Sequence, residues 1–290
     1  MADKAVAYLD QAVAPRLRAT LPAALAAVLL FVLKLGWAAL FAVLILGAII
    51  VTRLIWSDTW TVARYDALVL FALGTQIVFI RTGLETWEEA RVIAIFHVTG
   101  TAMEIFKLSQ GSWDYPEQGI LELGGVPLFS GFMYASVGSF IARMIRLFHV
   151  KFAPYPPFWM TVVLGIAIYG NFYTHHYTYD IRLILFAATL ILFWRTRVWF
   201  YPGPFPAWVP LPVAALLSAG LLWIAENIGT FTQTWTYATQ GDLGLVDIGK
   251  FGSWYLLLYV AFVTVTLVMR DALKPLPMRP APRQDPREIY

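Results

Sequence analysis

An all-α, polytopic bundle of membrane-spanning helices is the fold class this sequence predicts, on three observations. The 290 residues are 59% hydrophobic and only 13% charged, with a mean hydropathy of +0.66, which is more apolar surface than a soluble domain of this length could bury. The apolar runs recur at lengths near the roughly 20 residues that cross a bilayer as a helix. Numbering those runs in order places about three quarters of the 21 Lys and Arg residues on one side.

Residues 1–34 read as a cytoplasmic N-terminus and an interfacial helix. Met1 to Thr20 is polar with mixed charge and has no secretory pattern. The apolar run from Leu21 to Leu33 is too short to span, and Lys34 closes it at the lipid headgroups. Residues 35–270 form the membrane domain, with spans expected at 35–56, 66–84, 91–108, 124–148, 157–173, 181–200, 208–228 and 251–269. That makes about eight, with both termini cytoplasmic, as the Lys and Arg bias requires. Residues 271–290, Pro-rich and carrying Arg279, Arg283 and Arg287, read as a disordered cytoplasmic tail.

One pattern occurs twice. Glu104 opens EIFKLSQGSWDYPEQG and Glu226 opens ENIGTFTQTWTYATQG, so that Trp113 aligns with Trp235, Tyr115 with Tyr237, Gln118 with Gln240 and Gly119 with Gly241. The segment from Tyr65-Asp66 resembles that from Tyr179-Asp180, and Gly131 and Tyr134 answer Gly252 and Tyr255. The expectation is an internal duplication into halves of about 35–150 and 151–270, each a four-helix repeat of the same orientation.

That topology gathers the unusual polar residues on the outer side. At 1.5 Å per residue, Glu104 and Glu226 sit roughly 20 Å from the cytoplasmic face of a ~30 Å core. A carboxylate there costs roughly 2.5–3.5 kcal/mol unless it is paired, hydrated or protonated. A protonated acid suits a proton donor. The alternative is structural pairing with Lys107, Arg182 or Lys250. Trp113, Tyr115, Trp235 and Tyr237 read either as an interfacial aromatic belt or, by their fixed spacing to an acid, as the wall of its cavity. His97 shares a helical face with Thr101 and Glu104, which makes it a further catalytic candidate or a helix-to-helix hydrogen-bonding residue. Asp180 joins the catalytic candidates, and Asn171, Arg182 and Asn227 the substrate-binding ones.

With no Cys in the chain, thiol chemistry and disulfides are excluded, and the four His are the only nitrogen ligands for a metal. The adjacent His175 and His176 permit a divalent metal with Glu or Asp, but only where the backbone is irregular, since neighbouring helical side chains point about 100° apart. A hydrogen-bonded helix cap with Asp180 and Arg182 is the competing reading. No other cofactor is expected. Lys107 and Arg182 are also a pair that could hold an anionic headgroup. Scattered basic residues and a net charge of +3 exclude nucleic acid as a partner, leaving the bilayer and a lipid-soluble small molecule.

Two resemblances follow from these segments. RYD (64–66), IFHVTGTAMEIFK (95–107), GSWDYPE (111–117), GVPLFSGFMYASVGSF (125–140), YGNFYTHHYTYDIR (169–182), WIAENIGTFTQTWTY (223–237) and KFGSW (250–254) resemble domain-of-unknown-function family 817 of bacterial multi-pass membrane proteins, over about residues 35–270. Glu104, Trp113, Tyr115, Gly125, Pro127 and Leu128 are similar to the acid, aromatic and Gly-x-Pro-Leu pattern of membrane lycopene cyclases and carotenoid hydratases, with Glu226, Trp235 and Tyr237 as a second copy. Those cyclases follow Pro-Leu with paired acids, where this chain has Phe129-Ser130. The second resemblance implies protonation of an isoprenoid double bond, with Glu104 as donor, Glu226 as partner carboxylate and the four aromatics as the cavity wall. A proton-coupled carrier and a structural subunit of a membrane complex are the competing classes.

Overall fold

A computed structural model describes residues 2–57, 59–200, 207–237 and 244–274. Most of the chain is helical, and among the described residues the helices are α1 (Ala2–Tyr8), α2 (Ala14–Thr20), α3 (Ala23–Ala38), α4 (Leu40–Ile55), α5 (Arg64–Arg81), α6 (Trp87–Ser109), α7 (Phe129–Phe148), α8 (Phe158–Thr174), α9 (Arg182–Phe193), α10 (Leu211–Phe231) and α11 (Ile248–Val268). Each segment expected to span contains helix, though not over its whole expected length. Three of them, α6, α10 and α11, are long and apolar enough to cross a membrane alone, and α3 with α4 qualifies as a fourth, bent span. Leu183, Ile191, Ile166 and Leu217 stand exposed on the outer helix faces, as lipid-facing side chains do and as a soluble protein would not tolerate in such number.

The expected boundaries fail where polar anchors redirect the backbone. The run closed at Lys34 continues as helix to Ala38, then bends by 78° into α4. The bend frees the carbonyls of the last turn of α3, and the fully buried Arg143 of α7 satisfies them, donating to Trp37 O at 2.9 Å and Ala38 O at 3.1 Å, and to Leu84 O at 2.8 Å. Lys34, expected at the headgroups, pairs instead with Asp10 at 2.6 Å. The span expected at 181–200 stops at Phe193, because Arg197–Phe200 forms a strand (β4) between β3 (Lys151–Ala153) and β5 (Ala207–Pro210), all antiparallel. The tail is ordered four residues further than expected: Arg270–Leu273 is a 3-10 turn with Ala272 buried, and Asp271 O accepts from Lys151 at 2.5 Å. The rest of the tail lies outside the described residues.

A second small hairpin, β1 (Glu122–Leu123) with β2 (Val126–Pro127), closes the loop between α6 and α7. Two apolar clusters fill the bundle. One joins α6 and α7 to α8, α9, α10 and α11, the other joins α4, α5 and α7 to the loop residues Tyr115 and Trp235. The candidate site lies where the two clusters meet.

Candidate functional site: two carboxylates in aromatic cradles

Each acid lies about one and a half turns before the end of its helix, Glu104 in α6 and Glu226 in α10. The chain then turns back, and residues nine and eleven positions on return to the same carboxylate. Trp113 Nε1 donates to Glu104 Oε2 at 2.8 Å and Tyr115 Oη to the same oxygen at 2.7 Å. Trp235 Nε1 donates to Glu226 Oε1 at 2.9 Å, and Tyr237 Oη reaches that oxygen too. A third donor comes from the following helix in each case: Tyr134 Oη to Glu104 Oε1 at 2.6 Å, Trp254 Nε1 to Glu226 Oε2 at 3.2 Å. Both acids are buried.

All six donors are neutral, which answers the expectation of pairing with Lys107, Arg182 or Lys250. Neutral N–H and O–H groups meet the lone pairs of a buried carboxyl group without bringing a second charge out of water. Burial, reinforced by the neighbouring carboxylate, pushes the loop phenols of Tyr115 and Tyr237 well up, so both remain protonated donors.

Two glycines make the cradles possible. A Cβ at Gly229 would stand 1.9 Å from the Trp235 ring, and one at Gly100 would stand 2.7 Å from Tyr134. Both helices run unbroken through these positions. The glycines are seats for aromatic rings and not breaks in their helices.

The two loops are joined directly. Asp114 and Thr236 exchange backbone hydrogen bonds at 2.9 Å in both directions, and the Trp113 and Tyr237 rings meet edge-on with centroids 6.0 Å apart. Lys250 caps this pair, its Nζ 4.1 Å from the Tyr237 centroid and 5.2 Å from that of Trp113. Beneath lies a cavity of about 210 Å³ lined by both acids, by Trp113, Tyr115, Tyr134, Trp235 and Trp254, and by apolar residues of α4 and α10. Val43 of α4, more than half exposed, borders it on the outer face of the bundle.

Other candidates fall elsewhere. His97 does not line this cavity; its ring lies tilted against Phe132 with centroids 4.3 Å apart, and its buried Nδ1 has no partner among the described residues. Asn171 and Asp180 form a clasp on their own loop: Asn171 Nδ2 donates to Asp180 at 3.1 Å, Ile181 N–H donates to Asn171 Oδ1 at 3.2 Å, and Arg182 pairs with Asp180 at 2.9 Å. Burial works to raise the Asp180 carboxyl, but Asn171 and Arg182 outweigh it and hold it below its ordinary value. Asn227 ties its own loop, accepting from Val246 N–H at 2.9 Å.

His175 and His176 lie just past the end of α8, where the backbone leaves the helix, so their rings converge as a shared ligand would require. What they converge on is the Lys107 ammonium, 2.9 Å from His176 Nε2 and 3.4 Å from His175 Nε2. Among the described residues no group of three metal-binding side chains forms around this pair, whose shared hydrogen-bonding partner is Lys107. Desolvation, then the charges of Lys107 and His175, push the His176 pKa down, consistent with an imidazole that accepts from lysine.

Sequence reasoning missed Tyr134 and Trp254 as members of the site, and offered Lys250 only as an ion-pair partner of the acids rather than as the cation over Trp113 and Tyr237. Tyr134 had been matched to Tyr255, whose hydroxyl instead meets Tyr259 at 3.2 Å; the donor in the second cradle is the residue before it. The signal was present in the KFGSW segment, which carries both Lys250 and Trp254. Gln240 and Gly241 lie outside the described residues.

Residues 27–262 match the family described as Protein of unknown function (DUF817), which takes in every member of both cradles. The chain belongs to this family. YoaT of Bacillus subtilis (strain 168), described as an uncharacterized protein, is 40% identical over 239 residues, covering 81% of this chain and 90% of the relative. Two solved structures of MvINS, a mycobacterial Insig homologue from Mycobacterium vanbaalenii, one of them a cross-linked trimer, cover 66% of this chain and 98% of their own at a TM-score of 0.46, with 14% and 13% identity.

Proposed function

We propose that this DUF817 protein binds a lipid-soluble substrate in the cavity below Trp113 and Trp254 and carries out acid–base chemistry on it. Isoprenoid lipids are the first class to test. The observation that carries the reading is that two buried carboxyl groups, held alike by aromatic donors, line one otherwise apolar cavity. Such a cavity excludes water, and its ring faces suit a developing carbocation. Glu104 delivers a proton to one end of a carbon–carbon double bond, and Glu226 removes one from a neighbouring carbon. The outcome is isomerisation or cyclisation, with no oxidant and no co-reactant. The paired cradles further support a duplicated unit, and the Lys and Arg bias supports a cytoplasmic membrane location with both termini inside.

Mass spectrometry of lipid copurifying with the wild-type protein, followed by incubation with polyprenyl or carotenoid lipid, tests this directly. The E104Q and E226Q proteins should retain the lipid and lose its conversion. Conversion by E104Q at the wild-type rate would sink the proposal. Saturable proton-linked flux in liposomes, abolished by E226Q, would assign the same two acids to a carrier instead.

A further inference from the structure

Above the aromatic layer lies a second cavity, of about 220 Å³, with the opposite chemistry. Trp113, Tyr134 and Trp254 line both, so this vestibule sits one ring thickness from the acids. Three helices each bring a cation to it: Lys107 from α6, Arg182 from the start of α9 and Lys250 from α11. His175 also lines it, and Asp247 is the one acid that does, its carboxylate already accepting from Gly249 N–H at 2.7 Å.

The balance of partners is uneven. Arg182 is paired with Asp180, but Lys107 and Lys250 form no ion pair among the described residues. Lys107 is only 5% exposed, and its polar partners are the two imidazoles. Lys107, buried beside two other cations, bonds no carboxylate directly among the described residues, since Asp180 is taken by Arg182 and Asp247 by Gly249 N–H. An ammonium so placed is costly unless an anion joins it. Three donors converging from different directions are the geometry that takes a tetrahedral oxyanion. The volume, many times that of one water-sized probe, leaves room for one.

We infer that the vestibule is a phosphate-binding site, formed by Lys107, Arg182 and Lys250, that takes a free phosphate or the phosphate of a lipid headgroup. The site stands on these cations and not on the acid–base reading, although a lipid phosphate held here would place its apolar part next to the acid cavity.

Binding to the full-length protein in neutral-lipid nanodiscs would be followed through Trp fluorescence, since Trp113 lies under Lys250. One arm titrates inorganic phosphate; the other compares nanodiscs made with phosphatidic acid. Saturable binding is expected in at least one arm. Response to inorganic phosphate assigns a soluble anion, and response to phosphatidic acid alone assigns a headgroup. K250Q and R182Q, both at partly exposed positions, should each weaken binding about tenfold, and K107R should preserve it. Absence of binding in both arms, or wild-type affinity in the K250Q/R182Q double variant, would overturn the inference. E104Q and E226Q turnover is read separately, so failure of one proposal does not carry the other.

Discussion

Glu104 and Glu226 are held by the same kinds of donors at the same spacings, yet the loops that carry those donors are anchored differently. The loop after Glu104 is pinned by the first residues of α5. Arg64 donates to both oxygens of Glu117 at 2.9 Å, Asp66 accepts from Ile120 N–H at 3.0 Å and Leu121 N–H at 2.7 Å, and Tyr65 is fully buried. The matching segment before α9 does none of this. Tyr179 is 93% exposed, and Asp180 stays within its own loop. The second loop instead leans on the first, through the Asp114–Thr236 bridge and through Tyr65 Oη donating to Thr234 O at 2.8 Å. Similar sequence thus yields one self-supporting cradle and one dependent on it.

The largest test of this asymmetry is at the aromatic seats. G229A drives a methyl into the Trp235 ring and should cost about 3 kcal/mol or more, at the upper end for overpacking because a ring and not a flexible chain stands in the way, read as a large drop in thermal unfolding temperature in detergent. A G229A protein as stable as wild type would mean that Trp235 is not fixed on Glu226. Next come the two aspartates. Asp66→Ala removes the buried carboxylate that accepts from two loop amides and should destabilise by about 2 kcal/mol, while Asp180→Ala, at an exposed clasp, should cost less than about 1 kcal/mol. Equal losses would remove the distinction between the loops.

Smaller effects separate the third donors. Tyr134→Phe deletes a 2.6 Å bond to Glu104 and should cost about 2 kcal/mol; Trp254→Phe deletes a 3.2 Å bond to Glu226 and should cost about half as much in hydrogen bonding. Comparative unfolding of the two variants checks the order. The smallest effect is at His176, which faces Lys107 and His175. Its pKa is lowered below 6.5, so the unfolded chain takes up the proton first. The contribution of neutral His176 is complete above about pH 6.5 and declines as pH falls toward the lowered value. H176Q should flatten the stability profile in that window and leave it unchanged at pH 8.

Much of this was legible before folding. Glu, Trp and Tyr at fixed offsets named both acids and two donors of each cradle, because a helix end followed by a tight return makes those contacts local. Tyr134 and Trp254 were not, since each arrives from the next helix and its register depends on helix packing. The contact of Lys107 with His175 and His176 was hidden for the same reason: the lysine reaches the adjacent pair from another helix.

Composition and periodicity by themselves determined that this chain is a helical membrane protein and that two acid–aromatic motifs recur in it. Burying apolar surface in lipid depends on content and length, which a sequence states directly. Only tertiary structure decided that the two motifs share one cavity, that neutral donors rather than lysines hold the acids, and that the lysines gather in a separate vestibule above. Those outcomes depend on which helix faces meet, and a buried polar group takes whichever partner packing brings within reach.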